Sequence, residues 1–272
     1  MRRREAHGLV WYEAGGDGWR VAFSTRHGGV SRPPYDTLNL GFSTADDPSA
    51  VGHNRRVLAA ALGLDLARLI VPGQVHGTSI REVGSSEAGR GASGPADVVA
   101  DTDGLLTRTR ELPLFVGVAD CVPVLIVAGE PTTALALVHA GWRGMAAGIV
   151  GAAARALAGY APARAAVIGP SIGPCCFEVS ADVGERFEAT FAGTWRDGRV
   201  DLWEAARRQL AQNGVDPRLV ATAGLCTHHE RDFFSHRRDG GLTGRQAAIA
   251  WLTAERAPTK GAGPAARVGG RG

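Results

Sequence analysis

Three side chains of the sequence offer donor atoms for a metal site: His76, Cys121 and His139. Each lies where a short apolar run meets small or turn residues, as in Val-Ala-Asp-Cys-Val-Pro and Leu-Val-His-Ala-Gly-Trp. Functional groups collect where the chain leaves a rigid element, because the scaffold holds them still. Two imidazoles and a thiolate are a known ligand set for catalytic zinc, which keeps a fourth position open. We therefore expect the three side chains to converge on one point.

The same residue types have other interpretations. A single buried cysteine usually packs as a small hydrophobe, and a single histidine usually sits in the core or at the surface with its hydrogen bonds satisfied. Cys121 could also be a nucleophile activated by His139, as in a metal-free cysteine hydrolase. The three residues lie far apart along the chain, so their spacing alone does not decide between these possibilities.

Short apolar runs bounded by turn residues predict buried strands. They cover residues 112–118, 122–127, 134–138, 165–168 and 219–225. Ala-rich or amphipathic stretches predict helices at residues 145–157, 179–191, 202–212 and 244–254. This mixture predicts an α/β (α+β layered) fold with mixed sheets in a single domain. We place the domain at residues 1–256 and predict a disordered Gly/Ala/Pro tail at 257–272.

Composition excludes several classes of protein. The net charge of +3 over 272 residues is too small and too scattered for nucleic-acid binding. Lys260 is the only lysine and lies in the predicted tail, so P-loop and pyridoxal-phosphate enzymes are excluded. Four unevenly spaced cysteines and no signal-peptide pattern indicate a reducing, cytoplasmic compartment. No apolar stretch is long enough to span a membrane, and no heptad or exposed strand demands a partner, so we expect a monomer.

Longer strings of the sequence resemble the YfiH family, whose members are also called laccase-domain or polyphenol-oxidase-like proteins. The strings include Gln74-Val-His-Gly, Ala119-Asp-Cys-Val-Pro-Val-Leu, His139-Ala-Gly-Trp-Arg-Gly, Ile168-Gly-Pro-Ser-Ile-Gly-Pro-Cys-Cys-Phe-Glu-Val and Phe234-Ser-His-Arg-Arg-Asp-Gly. The resemblance runs from about Phe23 to Gln246. It departs at Gly104, where the family usually has alanine.

The resemblance implies a single domain with sheets layered between helices and a metal held by the three residues first named. It also implies phosphorolysis of adenosine, inosine and methylthioadenosine, together with deamination of adenosine. The expected partners are therefore a purine nucleoside and phosphate, and the expected cofactor is zinc. A peptidoglycan-precursor editing role, also attached to bacterial members, is the non-enzymatic alternative.

A copper polyphenol oxidase is disfavoured by the histidine count. A multicopper site needs about ten histidines, many in His-x-His pairs, because imidazole is its main ligand. This chain has eight histidines and no His-x-His pair. Copper remains the second choice of metal after zinc.

Other residues of the resembling strings are candidates for the substrate site. Arg26, Arg143 and Arg237 could hold phosphate through forked hydrogen bonds, or could anchor loops through backbone carbonyls. Asn39 and His27 could point into the same pocket. A separate group has plausible structural or supporting roles: Asp103 and Asp120 as partners of a ligand histidine or as turn residues, Trp142 as a stacking surface, and Ser171, Cys175 and Cys176 on a Gly/Pro turn of the pocket wall.

Overall fold

The computed structural model describes residues 1–254. That part of the chain contains a five-stranded sheet, a six-stranded sheet, a two-stranded ribbon and five α-helices. The predicted domain end at residue 256 and the predicted tail at 257–272 lie outside the described residues. No helix within residues 1–254 combines the length and the apolar character needed to cross a lipid bilayer.

The element bounds are as follows. The strands are β1 (Arg2–Ala6), β2 (Leu9–Gly16), β3 (Trp19–Ser24), β4 (Ile80–Glu82), β5 (Gly104–Thr107), β6 (Leu114–Val118), β7 (Val122–Ala128), β8 (Ala134–Ala140), β9 (Ala163–Ile168), β10 (Trp195–Arg196), β11 (Arg199–Val200), β12 (Val220–Thr222) and β13 (Gln246–Leu252). The α-helices are α1 (Pro48–Ala61), α2 (Trp142–Ala146), α3 (Ile149–Ala158), α4 (Ala181–Thr190) and α5 (Leu202–Gln212). Single 3-10 turns occur at Leu66–Arg68, Ser85–Glu87 and Pro217–Leu219.

The two large sheets differ in how their strands run. The five-stranded sheet has the order β1-β2-β3-β13-β6, and every neighbouring pair is antiparallel. The six-stranded sheet has the order β12-β9-β7-β8-β5-β4, in which the two outer pairs are parallel and the inner pairs antiparallel. The six-stranded sheet is therefore mixed, as predicted, whereas the five-stranded sheet is purely antiparallel.

Strand β7 shows how the layers are built. All seven of its residues are buried, because each face of the strand has its own partner. Val124 and Ile126 pack in the core beneath the helices, whereas Leu125 and Val127 pack between the two sheets. A strand covered on both faces has a nearly continuous apolar sequence, which is why this region was recognisable as a strand.

The outer face of the five-stranded sheet is covered by α1 and its neighbouring loops. Ala247 and Ile249 of β13 share one hydrophobic cluster with Leu58 of α1. The opposite face of the six-stranded sheet carries α3, whose Ile149 and Ala153 join the helix-side core. The fold therefore has four layers, helix–sheet–sheet–helices, and the expected sheets between helices are confirmed.

The helix predicted at residues 244–254 is wrong, since this segment forms β13. Its alanines favour a helix locally, but the strand lies between β3 and β6 and has both faces buried. Ala248 and Ala250 face the inter-sheet core, while Ala247 and Ile249 face α1. Tertiary packing of small side chains on two faces overrides the local propensity.

The helix predicted at residues 145–157 is interrupted. Gly148 has a φ of +90°, a left-handed conformation that ends α2 and allows α3 to start in a new direction. The predicted helix at 179–191 is observed as α4, and the predicted strand at 219–225 is shortened to β12.

We predict that Ala248→Leu destabilises the protein by about 1–3 kcal/mol, because added methyl groups overpack the space between the sheets. Ala156→Leu, the same change on the exposed side of α3, should alter stability by no more than about 0.5 kcal/mol. Urea unfolding of both variants measures the difference. Equal stability of the two variants would contradict the close packing of β13 against the six-stranded sheet.

Candidate metal centre

The structure brings His76, Cys121 and His139 together on the wall of one cavity of about 640 Å³. Their ligand atoms all lie within 4.8 Å of one another. The Cys121 Sγ is 3.9 Å from the His76 Nε2, and the two imidazole rings meet edge to face with centroids 4.8 Å apart. The expected convergence of the three side chains is observed.

Cys121 and His139 are positioned by the central hairpin of the six-stranded sheet. Cys121 directly precedes β7, and His139 lies in β8 opposite Pro123 of β7. His139 falls on the same side of its strand as Leu135 and Leu137, which face the other sheet. Both side chains thus reach the end of the space between the sheets.

His76 lies in a loop, and two long-range contacts hold that loop. The Gln74 amide pairs with the backbone of Gly117 in β6, donating from Nε2 to its carbonyl and accepting from its N–H at Oε1, both at 2.9 Å. His76 itself has a φ of +61°, an unusual value for a residue other than glycine. Such strain persists only where surrounding contacts fix the backbone.

The carboxylate of Asp103 supplies those contacts. It accepts the backbone N–H groups of Val75, His76 and Gly77 at 3.2, 2.9 and 2.7 Å. The same carboxylate lies 2.8 Å from the His139 Nδ1. This arrangement makes Nδ1 the protonated nitrogen and leaves Nε2 of His139 free to bind a metal.

Hydrogen bonding also sets the charge of Asp103. Its burial raises the pKa of the carboxyl, but the hydrogen bonds from His139 and from the amides of Gly77 and Val75 outweigh burial and lower the pKa. Asp103 is therefore a carboxylate at neutral pH, although its side chain is fully buried.

Cys121 and His139 influence each other's titration. Burial raises the pKa of the Cys121 thiol, but the neighbouring His139 and His76 outweigh it and bring the pKa to about 6. Burial lowers the pKa of His139, whereas Cys121 and Asp103 raise it to about 9. A thiolate is the form of cysteine that both metal ligation and nucleophilic attack require.

Gly141, between β8 and α2, leaves room for this group. A Cβ atom at this position would lie 2.5 Å from the His76 Cδ2 and 3.2 Å from the Cys121 Sγ. Only a residue without a side chain allows both donors to approach so closely.

Two of the four predicted substrate residues line the cavity. Arg143 stacks over the ring of Trp142, with its guanidinium carbon 4.4 Å from the ring centroid. Arg237 lies 5.3 Å from the ring centroid of Phe177 and donates to the Glu178 carbonyl at 2.7 Å. Both arginines are exposed.

Arg26 and Asn39, the other two predicted substrate residues, are not among the residues that line the cavity. Arg26 is an anchor: it pairs with Asp36 at 3.0 Å and lies over the ring of Phe234. His27, also expected near the pocket, pairs with Asp232 at 2.9 Å.

Asn39 acts on the cavity through another residue. It is fully buried, and its Oδ1 accepts the backbone N–H of Arg245 at 2.8 Å and that of Gly41 at 3.1 Å. Arg245 lines the cavity and was not among the predicted residues, nor was His236. Both lie within the region, from about Phe23 to Gln246, over which the family resemblance runs, so the resemblance was the signal that could have identified them.

The remaining candidates have structural partners. Asp120, with a φ of +84°, accepts the Thr227 hydroxyl and the Arg237 backbone N–H, each at 2.6 Å. These two hydrogen bonds of Asp120 hold the turn that carries Cys121. The hydroxyl of Ser171 accepts the indole N–H of Trp203 at 2.7 Å. The cavity wall is shaped by Ile172 and Phe177 of the Gly/Pro turn rather than by its cysteines.

The donor set fits one metal ion. Zinc–ligand bonds of about 2.0–2.3 Å place tetrahedral nitrogen and sulfur ligands about 3.5 Å apart, close to the observed separation of Cys121 and His76. Three protein ligands would leave the fourth position of a tetrahedral ion open. A multicopper cluster does not fit, because this group contains only two imidazoles.

The chain is similar to known proteins over most of its length. The chain is 39% identical over 265 residues to the purine nucleoside phosphorylase YlmD of Geobacillus stearothermophilus, covering 91% of this chain and 95% of that one. It is 37% identical to the purine nucleoside phosphorylase YfiH of Shigella flexneri, covering 84% and 92% of the two chains. The crystal structure of Geobacillus stearothermophilus YlmD superposes with a TM-score of 0.85 and 37% identity, covering 92% of this chain and 98% of that one.

A family model described as multi-copper polyphenol oxidoreductase laccase matches residues 20–253. The match spans nearly all of the described residues, and the resemblance to YfiH proteins drawn from the sequence is confirmed. The two imidazoles and one thiolate at the cavity do not fit the multicopper chemistry named in that description. The match to the family itself rests on the sequence and the fold. The chain belongs to this laccase-like YfiH family.

Proposed function

We propose that the protein is a zinc-dependent purine nucleoside phosphorylase that acts on adenosine, inosine and methylthioadenosine, with adenosine deamination as a second reaction of the same cavity. One observation carries the proposal: a His/Cys/His metal-binding group and four arginines (Arg55, Arg143, Arg237 and Arg245) line a single cavity. The names of the relatives support the substrate class. We also propose a cytoplasmic, reducing compartment, in which the four cysteines stay free.

The cavity has the dimensions and surfaces that this reaction needs. Its volume of about 640 Å³ lies within the usual range for small-molecule sites. Trp142, which is partly exposed, offers aromatic surface for a purine ring. Arg143, Arg237 and Arg245 supply positive charge for phosphate, which guanidinium groups bind through paired hydrogen bonds.

Phosphorolysis in this cavity is mainly a matter of positioning. The arginines hold phosphate so that one of its oxygens forms a bond to C1′ of the ribose. The bond from C1′ to the purine nitrogen breaks, and its electron pair leaves with the purine, which takes up a proton. Zinc bound by His76, Cys121 and His139 would supply a Lewis acid at the cavity wall.

The closeness of Cys121 to His139 and the lowered pKa of its thiol favour a second candidate, a metal-free cysteine hydrolase. A thiolate next to an imidazolium is the resting state of many cysteine nucleophiles. The two candidates use the same residues in different ways: the thiolate is either shielded by a metal or free to attack. The third candidate, a binding factor for peptidoglycan precursors, would hold its ligand in the cavity without catalysing a reaction.

We predict that inosine is converted to hypoxanthine and ribose 1-phosphate only when phosphate is present, and that chelation reduces this turnover at least tenfold. In the same samples, chelation should increase alkylation of Cys121, because a metal-bound thiolate is protected from the reagent. Chromatography measures the products, and peptide mapping assigns the alkylated cysteine. Cys121→Ser should lose both metal at this site and turnover.

Three outcomes would contradict the proposal. Full turnover and rapid Cys121 labelling after verified metal removal would favour the hydrolase. Release of free ribose without a phosphate requirement would exclude phosphorolysis. The absence of turnover with all three nucleosides in the zinc-loaded protein would leave a binding role. Conversion of adenosine to inosine without phosphate reports the deaminase reaction separately.

We also predict that Arg143→Ala lowers kcat/KM for phosphate by roughly 10- to 100-fold, the effect of losing about 1.5–3 kcal/mol from a charged hydrogen bond. Arg143→Lys should recover part of the loss, since it restores the charge without the forked geometry. Arg186→Ala, on the exposed side of α4, is the matched control. Steady-state kinetics with phosphate as the varied substrate tests the prediction, and an unchanged value for Arg143→Ala would remove this residue from the phosphate site.

A further inference from the structure

A second group of metal-binding side chains lies outside the residues that line the cavity. Its four ligand atoms all lie within 4.8 Å of one another, and they belong to Cys175, Cys176, Cys226 and His229. None of the three cysteines forms a disulfide. We propose that these four side chains form a second, structural zinc site.

The distances in this group match a tetrahedral site. The Sγ atoms of Cys175 and Cys176 are 3.4 Å apart, and each lies 3.6 Å from the His229 Nδ1. Zinc bonds of about 2.3 Å to sulfur and 2.0–2.1 Å to nitrogen require ligand separations of about 3.8 Å between sulfurs and about 3.5 Å between sulfur and nitrogen. The side chains therefore need only small shifts to enclose an ion.

Two loops are joined to bring these ligands together. Ser171 and Cys226 form an isolated parallel β-bridge, in which the Ser171 N–H donates to the Leu225 carbonyl at 3.2 Å and the Thr227 N–H donates to the Ser171 carbonyl at 3.0 Å. The bridge fixes the segment that leads to Cys175 and Cys176 beside the one that contains Cys226. The ligands are thus held by backbone hydrogen bonds from outside the group.

Tight turns on each side complete the arrangement. The Cys176 N–H donates to the Gly173 carbonyl at 3.0 Å, and the Glu230 N–H donates to the Cys226 carbonyl at 2.8 Å. The second turn directs His229 back toward Cys226, a Cys-x-x-His spacing used in zinc sites. The Gly173 N–H also donates to the Cys226 Sγ at 3.3 Å. Hydrogen bonds of this kind, made to a ligand atom by a group that does not itself bind the metal, help to orient the ligand.

The ligand chemistry favours zinc and a structural role. Three thiolates and one imidazole fill all four positions of a tetrahedral ion, so no position remains for a substrate. Sites of this composition stabilise folds, because the ion fixes segments that are distant in sequence. Here the ion would join the loop that carries Ile172 and Phe177 to the loop before Arg237, and all three of these residues line the cavity.

Counting zinc ions by native mass spectrometry tests the proposal. Protein expressed with zinc and purified under reducing conditions should carry two zinc ions per chain. Cys121→Ser and Cys176→Ser should each carry one, and the double variant none. His228→Ala, which changes the histidine beside the proposed ligand, should keep two and serves as the matched control.

A cobalt-substituted protein identifies the ligands independently. In the Cys121→Ser protein, Co²⁺ should show strong thiolate charge-transfer absorption that scales with three sulfur ligands, and Cys176→Ser added to this background should abolish it. If Cys176→Ser fails to fold, His229→Gln is the substitute, because this side chain is exposed; it should lose the second zinc to a competing chelator.

The proposal is overturned if the wild-type protein binds at most one zinc and Cys121→Ser binds none. It is also overturned if the zinc of Cys121→Ser survives both Cys176→Ser and His229→Gln. A mass lower by two hydrogens, with no second zinc under reducing purification, would show that these cysteines form a disulfide instead. The count of two zinc ions in the wild type rests on the proposed zinc at Cys121, whereas the zinc kept by Cys121→Ser tests the second site by itself. None of these results requires nucleoside turnover.

Discussion

The arrangement of the candidate metal centre depends on the buried carboxylate of Asp103. It binds three consecutive backbone N–H groups of the His76 loop and the Nδ1 of His139. One negative charge thus fixes the backbone of one donor residue and the tautomer of another. The surrounding structure must keep this charge buried and fully hydrogen-bonded, because an unpaired buried carboxylate would be costly.

The two packed sheets place the three donors around that carboxylate. Strands β5, β7 and β8 are neighbours in the six-stranded sheet, and β6 of the other sheet anchors Gln74 through Gly117. Asp103 directly precedes β5, and its own carbonyl accepts the His139 N–H at 2.7 Å. The site therefore combines groups from both sheets at the end of the core that they share, where the cavity opens.

Residue patterns predicted the parts of this arrangement that depend on local sequence. Strands β7 and β8 are buried on both faces, so their apolar runs were recognisable, and so were Cys121 and His139 beside them. Strand β13 was mistaken for a helix because its alanines favour a helix and only its packing in the sheet makes it a strand. Packing of this kind cannot be read from a local window.

Long-range hydrogen bonds were the second feature that the sequence did not reveal. Arg26 and Asn39 lie in strings of the family resemblance, yet one anchors a loop on Asp36 and the other holds the backbone of Arg245. Residues important for a site and residues that contact a ligand give the same sequence signal. The structure separates them, because Arg143 and Arg237 line the cavity whereas Arg26 and Asn39 do not.

The most direct test of the role of Asp103 is the zinc affinity of the Asp103→Asn variant. Made in a Cys176→Ser background, the variant reports on the first site alone, and Asp97→Asn at an exposed position is the control. Asparagine keeps the size of the side chain but removes the charge and one acceptor, so chelator competition should show a zinc affinity about 10- to 100-fold weaker. An unchanged affinity in a folded Asp103→Asn protein would contradict the central role of this carboxylate.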